Sequence, residues 1–238
     1  MSTDSCLALL LDGPMQSWGH ASRFERRTTA LHPTRSGVIG LLAAAAGIDK
    51  HAVDEAEQLG GLNSLHVTMF TLPRRNRRAE ELLIRRLEDY HTVTGIRRAS
   101  GKVDNDATVQ TYRHYLLDAR FGVLLEGPTA LLEEIAAALR NPKWGVWLGR
   151  KCCLPASPLL VAPPGLRAAV WAALLKSAGY AGTEPEEQFD RVLEVAATDS
   201  GADMIEDAPV AFGHPIGERH APRWIRRVPK SQLPNPKP

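Results

Sequence analysis

The chain has 238 residues, 44% hydrophobic and 24% charged, with a formal net charge of +2. This is room for one large domain or two small ones around a well-buried core, and the composition is that of an ordinary globular protein. A charge so near neutrality does not by itself point to nucleic acid, so any such role must come from how the charge is distributed. The three cysteines, Cys6, Cys152 and Cys153, form no C-x-x-C pair, and no histidine cluster has zinc-ligand spacing. No metal, cofactor or disulfide framework is expected, and the thiols fit a reducing cytoplasm. The apolar run 6–11 has no basic segment before it and is too short for a signal peptide or a membrane span, so a cytoplasmic protein without membrane contact is expected.

Residues 7–11 read as an apolar, central strand ended by Asp12-Gly13-Pro14. The loop 20–35 then carries Arg23, Arg26, Arg27 and Arg35 against Glu25 alone, 4 − 1 = +3, with His20 and His32 besides. A helix is predicted from Ser36, read as its N-cap, to Ala46, with Gly47 stopping it. Gly37 and Gly40 in its first turns point to close approach of a backbone, a phosphate or the sheet. The first N–H groups of a helix lack intrahelical partners, and its dipole favours negative charge. Thr34, Arg35, Ser36 and Gly37 are therefore read as an anion-binding surface beneath the basic loop.

A second, amphipathic helix is predicted over 51–59, with Ala52, Val53, Ala56 and Leu59 on one face and Gly60-Gly61 as its stop. Leu65, Val67 and Met69 mark a strand. Residues 74–113 are the most charged part of the chain, with ten basic and six acidic residues, 10 − 6 = +4. Residues 80–87 have helical propensity, yet 82–94 and 108–115 are β-prone. The whole reads as a long hairpin over about 82–118 with Arg97, Arg98 and Lys102 at a basic tip; a solvated charged loop is the competing reading. Residues 121–125 predict a strand, and Thr129 caps a helix with Leu131, Leu132, Ile135, Ala136 and Leu139 as its stripe, ended by Asn141-Pro142. Val146 to Leu148 would be a short strand entering Gly149-Arg150-Lys151. With the hairpin as an insertion, the order approximates β-α-β-β-α-β, an α+β, ferredoxin-like domain over residues 1–155 whose sheet is a common RNA platform. The prolines from Pro155 to Pro164 read as a linker to a small β-rich subdomain over 156–238, with a helix at 166–177, strands at 191–196 and 224–228, and a Pro-rich tail.

Several stretches together resemble the CasD family of CRISPR-associated proteins, within the RAMP superfamily. They are Gly13-Pro14-Met15-Gln16-Ser17-Trp18-Gly19, Pro33-Thr34-Arg35-Ser36-Gly37-Val38-Ile39-Gly40-Leu41-Leu42, Asp89-Tyr90-His91-Thr92-Val93, Gln110-Thr111-Tyr112-Arg113-His114-Tyr115-Leu116 and Leu148-Gly149-Arg150-Lys151. Near the end, Asp207, Pro209, Arg219, Trp224 and Arg227 match as well. Two features depart from the pattern: Leu154 separates Cys153 from Pro155, and 74–86 is unusually rich in arginine, which reads as added RNA or DNA contact. The resemblance implies a ferredoxin-like (RRM/RAMP) body, a β-hairpin thumb and a small C-terminal β region. It implies a non-catalytic subunit of the type I-E Cascade ribonucleoprotein complex in antiviral defence. Such a subunit grips the 5′ handle of the guide RNA, kinks the guide with its thumb, and contacts the backbone subunit CasC and the large subunit CasA in a complex that holds target DNA.

On these grounds Thr34, Arg35, Ser36 and Gly37, with Arg23, Arg26 and Arg27, are the candidate phosphate ligands. Trp18, Tyr90, His91 and Arg113 offer faces for splayed bases, whereas Tyr112, Tyr115 and Phe121 are assigned to the core. Arg97, Arg98 and Lys102 would press on the guide, and Arg150 and Lys151 would close the handle pocket. The rival is a metal-independent endoribonuclease, which needs a base near the 2′-OH and an acid near the leaving oxygen. His20, His32, His91 and His114 are available for it, but no paired-carboxylate, P-loop or nucleophile-elbow signature accompanies them. A lone RNA-binding module is a third reading.

Overall fold

The computed structural model describes residues 4–19, 25–97, 101, 103–213 and 219–231. Ten strands and four helices follow in the order β1 (Asp4–Asp12), β2 (Met15–Gln16), β3 (Arg26–Arg27), α1 (Arg35–Ala46), α2 (Glu55–Asn63), β4 (His66–Thr71), β5 (Arg85–Arg97), β6 (Val103–Leu117), β7 (Arg120–Pro128), α3 (Thr129–Arg140), α4 (Arg167–Ser177), β8 (Arg191–Glu194), β9 (Asp203–Ala211) and β10 (Arg219–Val228). They build two sheets, one ordered β1-β7-β4-β8-β10-β9 and one in which β6 carries β2 and β3 along one edge and β5 along the other. The result is a mixed α/β fold with antiparallel sheets.

Strand β1 is apolar at successive positions because the main sheet is covered on both faces. Leu7, Leu9 and Leu11 enter one core with Val38, Ile39, Leu42, Leu132 and Ile135 from α1 and α3. Cys6, Ala8 and Leu10 enter a second core with Val170, Trp171 and Leu174 of α4. Period-two alternation of side chains therefore sorts them between two apolar layers, not between core and water. The same holds for β4, where Val67, Thr68, Met69 and Phe70 are all buried.

The position of β1 differs from expectation. It ends the strand order, with β7 on one side. Its other edge is covered by residues 156–165, through Cys6 N to Gly165 O and Leu10 N to Leu159 O, both 2.8 Å. The prolines read as a linker lie in this cover. Lacking N–H donors, they limit it to isolated bridges at Leu160 and Gly165. The expected strand from Val146 to Leu148 is irregular backbone.

Local signals were displaced wherever packing competed with them. Thr34, not Ser36, caps α1, its Oγ1 accepting from Gly37 N at 3.2 Å. Gly47 ends the helix as expected, at φ 78°. Helix α2 runs through Gly60-Gly61 to Asn63, since burial of Leu59 and Leu62 outweighs the cost of two glycines. Helix α3 starts at Thr129, preceded by Pro128; the Thr129 hydroxyl lies 2.7 Å from Ser5 Oγ. Residues 85–87 are strand, because β5 pairs with β6 from Arg85↔Leu117 to Arg97↔Val103, with an irregularity at Gly95. Beyond the linker, β8 joins the main sheet through Met69↔Val192 and Phe70↔Arg191, and β10 and β9 extend it. Strand β9 has no counterpart among the predicted elements. Among the described residues no helix is long and apolar enough to cross a membrane.

Candidate nucleic-acid interface

The chain leaving β1 is fixed by Gln16. Its buried side chain donates to Leu11 O (2.9 Å) and Ala119 O (2.7 Å) and accepts from Trp18 Nε1 (3.1 Å). The two limbs of the basic loop are then clipped together: Trp18 N donates to Thr29 Oγ1 and Ala30 N donates to Trp18 O, both at 2.8 Å. The third wall is the turn at Gly149. It has φ 92°, and a Cβ there would lie 1.7 Å from Ser17 O, so only glycine fits. Ser17 N donates to Leu148 O at 3.0 Å across the same contact.

These clamps leave an open cleft of about 590 Å³ where α1 begins. Ser17, Arg27, Thr34, Ser36, Gly37 and Arg150 are among its lining, together with Glu206, Asp207, Phe212 and His220. The structure thus brings together Thr34, Ser36, Gly37, Arg27 and Arg150 from separate parts of the chain. Arg150 is held in place by its own contacts, with Nη1 donating to His114 O (2.9 Å), Nη2 to Arg27 O (2.7 Å), and the guanidinium 4.7 Å from the Tyr115 ring centroid. Lys151 is exposed, its ammonium 5.7 Å from the Trp147 ring.

Two candidates play other parts. Arg35 is 4% exposed and does not line the cleft. Its guanidinium bonds the Glu194 carboxylate, Asn63 O (2.6 Å) and Leu65 O (3.0 Å), tying α1 to the start of β4 and to β8. It is a structural cation rather than a phosphate ligand. Trp18, assigned to the surface, is 0% exposed. Its ring fills the space above Gly37, where a Cβ would lie 2.8 Å from Cε3. Gly37 is therefore small to admit the indole, and Trp18 offers no face for a base.

The α1 N-terminus also carries an anion of the protein's own. Asp207 Oδ2 accepts from Arg35 N at 2.8 Å, and both Asp207 oxygens accept from Arg223, at 2.5 and 3.0 Å. Arg223 also reaches Glu194 at 3.1 Å, closing a partly buried network of two arginines and two acids. Burial alone would raise the Asp207 pKa, but the Arg223 bonds and the Arg35 N–H hold it below the ordinary carboxylate range. The helix dipole is thus partly answered from within. Nearby, burial lowers the pKa of His32, whose Nδ1–H donates to Pro33 O at 2.8 Å.

On the hairpin, β3 pairs in parallel with β6 at Arg26↔Tyr112 and Arg27↔Arg113. Tyr90 and Tyr112 are register partners, their rings 5.4 Å apart, and the Arg26 guanidinium lies 5.2 Å from the Tyr112 ring. Tyr90 is 52% exposed, so this row presents an aromatic and guanidinium face to solvent. Tyr112 belongs to it and not to the core as expected; Tyr115 and Phe121 are buried. Glu88 lies on the same face, 3.7 Å from Arg26 and 2.6 Å from His114 Nε2. By strand alternation His91 and Arg113 point to the opposite face, where Arg113 Nε donates to Thr111 Oγ1 at 3.1 Å. Arg23, Arg98 and Lys102 lie outside the described residues, as does the side chain of Arg97.

Sequence reasoning passed over Gln16, Thr29, Glu194 and Arg223. The signal of Gln16, Glu194 and Arg223 is tertiary, through contacts with distant strands or their ends, and Thr29 acts by closing the basic loop on Trp18.

Comparison with known proteins agrees with this architecture. A family model described as CRISPR-associated protein (Cas_Cas5) matches residues 6–215. The chain belongs to that family of CRISPR-associated proteins. It is 36% identical over 160 residues to the CRISPR system Cascade subunit CasD of Escherichia coli (strain K12), covering 66% of this chain and 70% of that protein. Among solved structures it is similar to a chain of a CRISPR RNA-guided surveillance complex, with a TM-score of 0.70 and 30% identity over 95% of this chain and 90% of that one. A crystal structure of a Cas protein gives a TM-score of 0.55 and 31% identity over 94% and 95%.

Proposed function

We propose that this protein is a non-catalytic subunit of a type I-E CRISPR Cascade surveillance complex that caps the 5′ handle of the guide RNA. The observation that carries the proposal is the cleft at the start of α1, where Arg27 and Arg150 stand beside Ser36 on a wall fixed by Gly149 and Gln16. Phosphates of a hooked strand would be met there by guanidinium and hydroxyl donors. The row of Tyr90, Tyr112 and Arg26 would receive unstacked bases, since aromatic and guanidinium planes stack on any base.

The ferredoxin-like reading of the body rests on β1, β7 and β4 as adjacent antiparallel strands with α1 and α3 on one face, the β1 edge cover standing in for a fourth strand. The β5–β6 hairpin would be the thumb that kinks the guide. A body of residues 1–155 and a C-terminal unit after it, attached by β8, complete the proposal. The partners would be the guide RNA, the CasC and CasA subunits, and target DNA held by the complex.

Recovery of the tagged chain from its own cells, with sequencing of bound RNA, tests this. Guides of uniform length with one shared 5′ end, together with other subunits, are expected. Mixed RNA without partner proteins would reduce the role to a lone RNA-binding module. Cleavage of repeat RNA by the purified chain, lost in His91→Ala, would overturn the non-catalytic assignment.

A further inference from the structure

The run Arg74-Arg75-Asn76-Arg77-Arg78 divides into two anchors and two projections. Arg74 bonds the Asp12 carboxylate at the end of β1 and donates from Nε to Asp118 O (2.9 Å) at the turn between β6 and β7. Arg75 lies 4.5 Å from the Tyr180 ring. Between these anchors and β5 the chain makes a small closed turn, with Arg75 bridged to Glu81, Asn76 N donating to Glu80 O (2.9 Å) and Leu82 N to Arg74 O (2.8 Å). The Asn76 side chain fills it: Oδ1 accepts from Arg78 N (2.8 Å) and Glu80 N (3.0 Å), and Nδ2 donates to Glu80 Oε2 (2.7 Å). Ala79 is held at φ 60°, a region that favours glycine.

Arg77 and Arg78 stand exposed at this turn, and neither guanidinium has a hydrogen-bond or ion-pair partner among the described residues. A rigid turn with its own arginines clamped and two more held outward is a preorganised pair of cations. The turn leads into β5, the edge of the hairpin sheet opposite β2 and β3, and so stands across the hairpin base from the cleft. We infer that Arg77 and Arg78 form a second contact for a nucleic-acid phosphate backbone, separate from the cleft; the inference rests on the nucleic-acid reading above. Guide RNA and target DNA share this phosphodiester chemistry, and the test separates them.

The salt dependence of binding would be measured for the full chain with a mixed-sequence single-stranded RNA and with a DNA duplex of equal length. Each lost phosphate contact lowers the slope of log K against log salt by about 0.7 for a single strand and about 0.9 for a duplex. The double variant Arg77→Ala with Arg78→Ala should lower the slope by about 1.4 on RNA or about 1.8 on DNA, and the polymer that responds is the source. The paired Lys substitutions should restore the slope, because a point charge suffices for a phosphate. Asn76→Ala should weaken binding with the slope kept, because it loosens the turn without removing charge. If neither slope moves while Arg27→Ala still lowers one, the inference fails and the cleft reading stands. A wild-type chain that binds neither polymer overturns both. Intact slopes with loss of copurifying subunits would overturn the inference in favour of an acidic protein surface.

Discussion

Arg35 and Arg27 lie eight positions apart in one basic stretch, and their surroundings are opposite. Arg35 is enclosed, with Glu194 and two carbonyls around its guanidinium. Arg27 is exposed on the cleft wall, where its backbone carbonyl accepts from Arg150. Arginine suits both places because its planar fork can satisfy several fixed acceptors in a core or meet phosphate at a surface. Positive charge in a loop therefore does not show where the charge points, and a basic segment near a nucleic-acid site can be partly a fastening.

The strongest way to break this contrast is Arg35→Ala. It removes one of the two arginines that reach Glu194 and takes the donor from two backbone carbonyls, and should cost about 3–5 kcal/mol in denaturant unfolding. Unchanged stability with a reduced salt slope for RNA would return Arg35 to the phosphate contacts. Next is Gly149→Ala, which puts a Cβ into Ser17 O at a left-handed backbone position. A loss of about 2–4 kcal/mol is expected from strain and overlap together, along with loss of RNA affinity, because Arg150 moves with the turn. Retained stability would show that the two loops are not locked together. Tyr90→Ala should leave the unfolding midpoint in place and weaken single-stranded RNA binding by about 1–3 kcal/mol, the worth of one stacked base; undiminished affinity would remove the hairpin face from the interface.

The smallest effect is a pH dependence. Because the folded-state pKa of Asp207 is depressed, its stabilisation is fully present above the unfolded-state value of about 3.9 and is lost as pH falls through the folded value. In that window the group adds a slope of at most about 1.4 kcal/mol per pH unit, which Asp207→Asn should abolish. An identical acid limb in the variant would mean that other carboxylates set it.

What could be read in the sequence follows from which forces are local. Strand β1, the hairpin, the end of α1 at Gly47 and the end of α3 at Asn141 were legible because apolar runs, β-branched pairs and turn residues act over a few positions. The start of α1 was not, because Thr34 and Ser36 are equivalent as caps until Asp207 approaches from 172 positions away and takes the Arg35 N–H. Trp18 beside Gly19 looked like a loop residue, and only the small surface of Gly37 provides the cavity for its ring. Strand β9 was hidden because Asp203–Ala211 contains acids and Pro209 and becomes a strand only against β10. In the cleft, the residue types were visible and their sorting was not. The exposed Arg27 and the half-buried Ser36 differ from the buried Arg35 through contacts made at a distance, by Asn63 and Leu65 and by Glu194 in the last third of the chain.

Strand β6 has a further consequence. Its 15 residues run from Val103 to Leu117 with a register shift opposite Gly95, and near one end they are pinned by β2, which precedes the basic loop, and β3, which lies within it. At about 3.3 Å per residue the strand is about 50 Å long. Were the proposed guide strand to touch both the cleft wall and the far end of the hairpin, the length of polymer between them would be set by this one strand. Lengthening β5 and β6 by matched pairs of residues would move that far end outward in steps while keeping every side chain on its face.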